Sequence, residues 1–177
     1  MRIISGKYKG RRITAPRKLP VRPTTDLAKE SLFNILNNLY YLDEISVLDL
    51  FSGTGNISYE FASRGTENIT AVDADLGCVK FIEKTSLEFD MPITVRKSEV
   101  SKFLGRAKGK YTLIFADPPY AFTLEEFSQL QDLVFKNELL DEDGCFIIEH
   151  SKHTDLSNLP HFDNSRHYGG SVFSFFK

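Results

Sequence analysis

The chain has 177 residues, 41% of them hydrophobic and 26% charged, as expected of a single globular domain with a sizeable core. Its net charge of −2 hides an imbalance, because residues 1–25 hold eight of the 22 Lys and Arg and none of the 24 Asp and Glu. No apolar run approaches the roughly 20 residues that span a bilayer, no apolar signal core opens the chain, and the two cysteines are far apart, so a cytoplasmic, disulfide-free protein with no membrane partner is expected.

The opening segment is the first element. Lys7, Lys9, Arg11, Arg12 and Arg22 interleave with Ile3, Ile4, Tyr8 and Ile13, and Gly6 and Gly10 supply turns. This pattern predicts a basic β-hairpin arm over residues 1–25, ahead of a catalytic-type domain over residues 26–177. A basic arm on an acidic body suits docking onto a polyanion. The arm leads into a helix capped by Thr25 or Asp26, with Ala28, Leu32, Ile35, Leu36 and Leu39 on one apolar face.

Strands and helices then alternate. The apolar run Ile45–Leu50 reads as a strand, followed by a glycine turn over Phe51–Gly55 and a helix to about Arg64, which Gly65 stops. A second strand, Ile69–Val72, ends at Asp73. A helix from Leu76 to Phe89 follows, with Val79, Ile82, Leu87 and Phe89 among its apolar positions. Next come a short strand, Ile93–Val95, a short helix around Val100–Leu104, and the strand Tyr111–Ala116. The last elements are a helix over Leu124–Phe135, a fifth strand over Cys145–Glu149, and two antiparallel strands joined at Gly169-Gly170. Alternating βα units predict a mostly parallel sheet with helices on both faces and the terminal hairpin at one edge.

Two motifs carry chemistry. In Asp49-Leu50-Phe51-Ser52-Gly53-Thr54-Gly55 an acid ends the strand and glycines let a ligand approach the backbone. A dinucleotide fingerprint needs a third glycine where Ser58 stands, so that motif fails. An acid at this place repels phosphate and suits a cation, which favours S-adenosylmethionine over a nicotinamide dinucleotide. Asp73 is placed to accept ribose hydroxyls, and Glu99 either meets the adenine amine or caps the next helix.

The second motif is Asp117-Pro118-Pro119-Tyr120 at the end of a buried strand. A carboxylate and a proline carbonyl accept hydrogen bonds from an amino group, and the tyrosine ring offers a stacking face. That set fits methyl transfer to the exocyclic amine of a nucleobase, with Asp117, Pro118 and Tyr120 as catalytic residues. Asp49, Phe51, Gly53, Gly55, Asp73, Glu99 and Asp117 form the cofactor set. Phe122 reads as packing, Glu149 and His150 at the end of the fifth strand are candidates to line the substrate cleft, and the histidines lack partners for a metal site.

The blocks Met1–Gly6 with Lys7–Arg12, Arg22–Asp26 with Lys29–Asn34, Leu48–Gly55, Ser63–Gly65, Asp117–Tyr120 and Arg166–Gly169 span nearly the whole chain. On these blocks it resembles the RsmD family of small-subunit ribosomal RNA guanine-N2 methyltransferases, in the class I methyltransferase superfamily. The resemblance implies a Rossmann-like α/β fold with a seven-stranded, mostly parallel sheet and an arm that contacts RNA. It also implies a flipped guanine of 16S rRNA, methylated on N2, with S-adenosylmethionine as cofactor and the rRNA or small ribosomal subunit as partner. No metal and a monomer are expected. Leu27 stands where the family often has arginine, Thr85 where asparagine is common, and Asp73 and Glu99 exchange the more usual Glu and Asp. The rival readings are a DNA adenine-N6 methyltransferase, for which 177 residues leave little room for target recognition, and a non-catalytic ribosome-assembly factor.

Overall fold

The computed structural model describes residues 1–20 and 24–177. Arg22, expected to contact RNA, lies outside the described residues. The first helix is α1 (Asp26–Leu39), and Thr25 caps it by accepting a hydrogen bond from the Ala28 amide, a contact worth about 1 kcal/mol. Alternation continues through β1 (Ser46–Leu50), α2 (Asn56–Ser63), β2 (Asn68–Asp73), α3 (Leu76–Glu88) and β3 (Ile93–Lys97). It is completed by α4 (Val100–Leu104), β4 (Tyr111–Ala116), α5 (Leu124–Lys136), β5 (Leu140–Ser151), β6 (Phe162–Tyr168) and β7 (Ser171–Phe176).

The strands form a seven-stranded sheet in the order β3-β2-β1-β4-β5-β7-β6. The first five are parallel, and β7 pairs antiparallel with both β5 and β6. β7 therefore lies inside the sheet and β6 forms the edge. Both faces are covered, so Val47, Leu48 and Leu50 of β1 are all buried, the continuous apolar pattern of a parallel strand between two helix layers. One core joins the helices α1, α2 and α3 to Val47, Phe115, Ile147 and Phe173. The other joins α4 and α5 to Leu48, Ile114, Ile148 and Phe176. Because β1 leads outward to β2 and β3 while β4 returns to its other side, the chain reverses direction between β1 and β4. A crevice opens beyond the strand ends at such a switch point, and ligands bind there.

Three expectations need correction. Leu39, at the last position of α1, is 50% exposed, and Phe33 and Lys29 are buried on that helix instead. Leu87 is 84% exposed, since it falls well off the stripe set by Val79, Ile82 and Ser86 at a helical period. β5 begins at Leu140 rather than Cys145. Its extra residues include Asp141, Glu142 and Asp143, which broke the apolar run in the sequence, and a register shift against β4 absorbs them.

The N-terminal segment doubles back on itself with a single bridge, Arg2 to Arg12, rather than an extended ladder. Ile3 and Ile13 are buried in the core. Its tip packs on the last turn of α2, where the Lys7 amide donates to the Ser63 carbonyl at 2.7 Å. Gly6 sits so close that a Cβ there would lie 1.8 Å from the Ser63 carbonyl oxygen, and its φ of +83° favours glycine as well. Among the described residues no helix is long and apolar enough to cross a membrane.

Candidate active site

The crevice predicted by the topology is a cavity of about 1300 Å³, larger than the roughly 300–1000 Å³ of a typical single-ligand pocket. Both sequence motifs line it, with Gly53 on one side and Asp117, Pro118 and Tyr120 on the other. The Asp117 amide donates to the Leu50 carbonyl at 3.4 Å, so the end of β4 is tied to the end of β1.

On the β1–β2 side the turn is held by Asp73. Its Oδ2 accepts from the Gly53 amide and its Oδ1 from the Asp75 amide, each at 2.8 Å. Each carboxylate oxygen has a second lone pair, so capacity toward a ligand hydroxyl remains. Burial pushes the Asp73 carboxyl above its ordinary range, and the backbone amides pull against that. Phe51 adopts a left-handed φ of +56°, which costs energy in a non-glycine residue. The ring accordingly leaves the face that strand alternation assigns it and packs edge-on against Phe122. Gly55, also left-handed, has no room for a side chain, because a Cβ would come within 2.7 Å of the Tyr59 ring.

Asp49 lies beneath this turn and is 1% exposed. The Ser58 hydroxyl donates to its Oδ2 at 2.6 Å. Burial raises the carboxyl to about 7, against the effect of Ser58. Ser58, which in the sequence only spoiled a dinucleotide fingerprint, thus holds the buried acid. Glu99 lines the cavity and makes no capping bond to α4 although it stands at the cap position. Its side chain is available to a ligand rather than spent on the helix.

The β4–β5 side holds Asp117. Its carboxyl is raised well above the usual range, first by burial and then by the nearby Glu149 and Asp49 charges. Among the described residues no hydrogen bond satisfies this side chain. The Phe122 amide donates to the Pro119 carbonyl at 2.9 Å and closes the turn, leaving the Pro118 carbonyl without a backbone donor among the described residues. Tyr120 is 66% exposed at the cavity rim, where an aromatic face is open to a planar partner. Phe122 packs between Phe51 and Phe127 and also lines the cavity.

Two further features shape the site, the first a cleft candidate in the sequence and the second not. Glu149 is 5% exposed and lines the cavity, and the Thr24 hydroxyl donates to its Oε2 at 2.7 Å. Its signal is its rank beside Asp117, visible only once β4 and β5 are paired. The second is a buried polar network beneath the cavity. Lys29 Nζ donates to Asn56 Oδ1 at 2.8 Å and to the Arg2 carbonyl at 2.6 Å, and it lies 3.4 Å from Glu60. Asn56 in turn donates to the Thr24 carbonyl at 3.2 Å. His150 faces away from the cavity, bonded to Ser151 and Ser174.

The basic residues are not brought to the cavity. Lys7, Lys9, Arg11 and Arg12 are exposed, and the tip carrying Lys7 and Lys9 lies at the opposite end of α2 from the glycine turn. Among the described residues, Lys152 is the one Lys or Arg that lines the cavity, which also presents Asp49, Asp73, Glu99, Asp117 and Glu149. This donor set fits a cationic, phosphate-free cofactor such as S-adenosylmethionine and opposes a pyrophosphate. No group of three or more His, Cys, Asp or Glu able to hold a metal occurs among the described residues.

Comparison with known proteins supports this picture. The family model described as Conserved hypothetical protein 95 matches residues 1–177. YlbH of Bacillus subtilis strain 168, provisionally named an rRNA methyltransferase, is 35% identical over 161 residues, covering 88% of this chain and 85% of YlbH. Ribosomal RNA small subunit methyltransferase D of Escherichia coli K12 is 27% identical over 161 residues, with 90% of this chain and 79% of that protein covered. The solved structure of Escherichia coli yhhF, provisionally described as a methyltransferase, superposes with a TM-score of 0.85 at 26% identity, covering 99% of this chain and 96% of its own.

Proposed function

The chain belongs to the RsmD family of class I S-adenosylmethionine-dependent methyltransferases, and from that premise we propose that it methylates the exocyclic N2 of a guanine in small-subunit ribosomal RNA. The observation that carries this reading is one cavity bordered by both the glycine turn and the Asp117–Tyr120 segment.

Asp49, Gly53, Asp73 and Glu99 would hold the S-adenosylmethionine, which would supply an electrophilic methyl group. The chain's own residues prepare the acceptor. A guanine leaves its stack, as enzymes acting on base atoms require, and rests on the exposed Tyr120 ring. Its amine nitrogen is a poor nucleophile because its lone pair is delocalised into the purine. Asp117 and the Pro118 carbonyl accept its two N–H bonds, which favours a more tetrahedral nitrogen with its lone pair free. As positive charge develops there, the Asp117 carboxylate stabilises it in a site largely shielded from water. Holding the two reactants in one cavity is the main contribution to rate.

The test is to incubate the full chain with radiolabelled S-adenosylmethionine and small ribosomal subunits, deproteinised rRNA or DNA, then digest to nucleosides. Label in N2-methylguanosine is expected. Label confined to N6-methyladenine of DNA, or RNA binding without transfer, would replace this reading with one of its rivals.

A further inference from the structure

We propose that Glu149 is a second base-reading carboxylate: it accepts the ring N1–H of the guanine beside Asp117, and so selects guanine over adenine. This deepens the guanine-N2 reading given above and rests on it.

The placement follows from the sheet. Ala116 of β4 pairs in parallel register with Ile148 of β5, so one residue further Asp117 stands level with Glu149. Residues level on neighbouring parallel strands point to the same face, about 4.8 Å apart. Both side chains line the cavity. Glu149 is nearly as buried as the core, yet it has no cationic partner among the described residues, where a buried carboxylate is normally paired. The Thr24 hydroxyl donates to Oε2 at 2.7 Å, and the Ser171 hydroxyl bonds the carboxylate as well. These two hydroxyls use two of the roughly four lone-pair sites of the carboxylate, so acceptor capacity remains for a ligand. The Thr24 backbone is itself held by Asn56, so the donor that orients Glu149 is anchored beneath the cavity.

The chemistry matches one base. The Watson–Crick edge of guanine presents two adjacent donors, N1–H and the exocyclic amine. Adenine presents its amine beside the bare lone pair of N1. Two carboxylates side by side therefore complement guanine, whereas adenine would set a carboxylate against a ring lone pair. A site whose buried acceptor goes unpaired discriminates strongly against the wrong substrate.

The experiment uses the full chain with small ribosomal subunits that lack the modification, comparing wild type, Glu149→Ala and Glu149→Gln. It measures kcat, KM, the methylated nucleoside formed, the pH profile, the melting temperature and the calorimetric affinity for S-adenosylhomocysteine. Glu149→Ala is expected to lower kcat/KM about 100-fold with S-adenosylhomocysteine affinity and melting temperature retained. In the near-isosteric Glu149→Gln, burial and Asp49 still raise the Asp117 carboxyl but the Glu149 contribution is gone, so the acidic limb of the profile moves to lower pH. If wild type forms N2-methylguanosine while both variants stay within about twofold of it at an unmoved pH limb, this proposal alone is overturned. A fall in activity that tracks lost cofactor affinity or lost stability in both variants, with the limb unmoved, makes Glu149 structural and overturns it too. Absence of N2-methylguanosine from the wild type overturns the guanine reading together with this proposal.

Discussion

Glu60 receives hydrogen bonds from the Ile4 and Ser5 amides and from Arg64, and lies 3.4 Å from Lys29. Asp117, half-buried beside the cavity, receives none from the described residues. The two acids illustrate opposite uses of a carboxylate withdrawn from solvent. Around Glu60 every lone pair is directed at a donor of this chain, and the result is a clamp that fixes residues 1–5 onto α2. Asp117 instead lines the cavity, and the cost of burial appears as a carboxyl that resists ionisation. A satisfied buried charge builds structure, while an unsatisfied one facing a cavity waits for a substrate.

Removing each acid in turn gives the sharpest contrast. Asp117→Ala is expected to lower kcat by about 10³-fold or more while S-adenosylhomocysteine affinity, read by calorimetry, changes little. Retained turnover would erase the distinction between the two acids. The ionised form is the acceptor, so wild-type activity should climb with pH above the ordinary carboxylate range. Stability has the opposite sign here. A carboxyl raised in the folded state favours folding at low pH, and that contribution is lost as pH rises through its folded value, which for Asp49 is about 7.

Glu60→Ala should behave in reverse. It leaves the Lys29 ammonium buried without its anion and frees the Ile4 and Ser5 amides, at a cost of about 3 kcal/mol in urea denaturation. Any activity lost should follow the lost stability. A variant that folds as well as wild type would show the clamp to be idle. The smallest effects belong to Tyr120, whose ring carries the proposed stacking. Tyr120→Ala should raise KM for small subunits roughly tenfold, whereas Tyr120→Phe should stay within about twofold, because the ring and not the hydroxyl does the stacking. Equal damage from both would assign the hydroxyl a direct role.

Much of this was legible in residue order. Runs such as Tyr111–Ala116 and Val100–Leu104 coincide with their elements because local hydrophobicity and turn residues mark both ends. The glycine turn and Asp117–Tyr120 are local motifs, and topology only had to bring their ends together. Glu149 was legible only as a candidate for the cleft, with no role, for the converse reason. Its meaning comes from a neighbour 32 positions away by chain number, and nothing near it in sequence announces that neighbour. The clamp was not legible because Lys29 and Glu60 stand on two separate helices, and charged residues on helices are mostly exposed. Leu39 and Leu87 show the opposite error, since an apolar residue at a helix end or off the stripe need not be buried.

The hairpin tip, finally, sets a minimum footprint. Lys7 and Lys9 sit at the far end of α2 from the glycine turn, and α2 has 8 residues, about 12 Å of rise. That distance exceeds three stacked-base steps at roughly 3.4 Å each. A lone nucleoside in the cavity therefore cannot touch the basic tip, and a nucleic acid that grips both places at once must run several nucleotides beyond the reacting base.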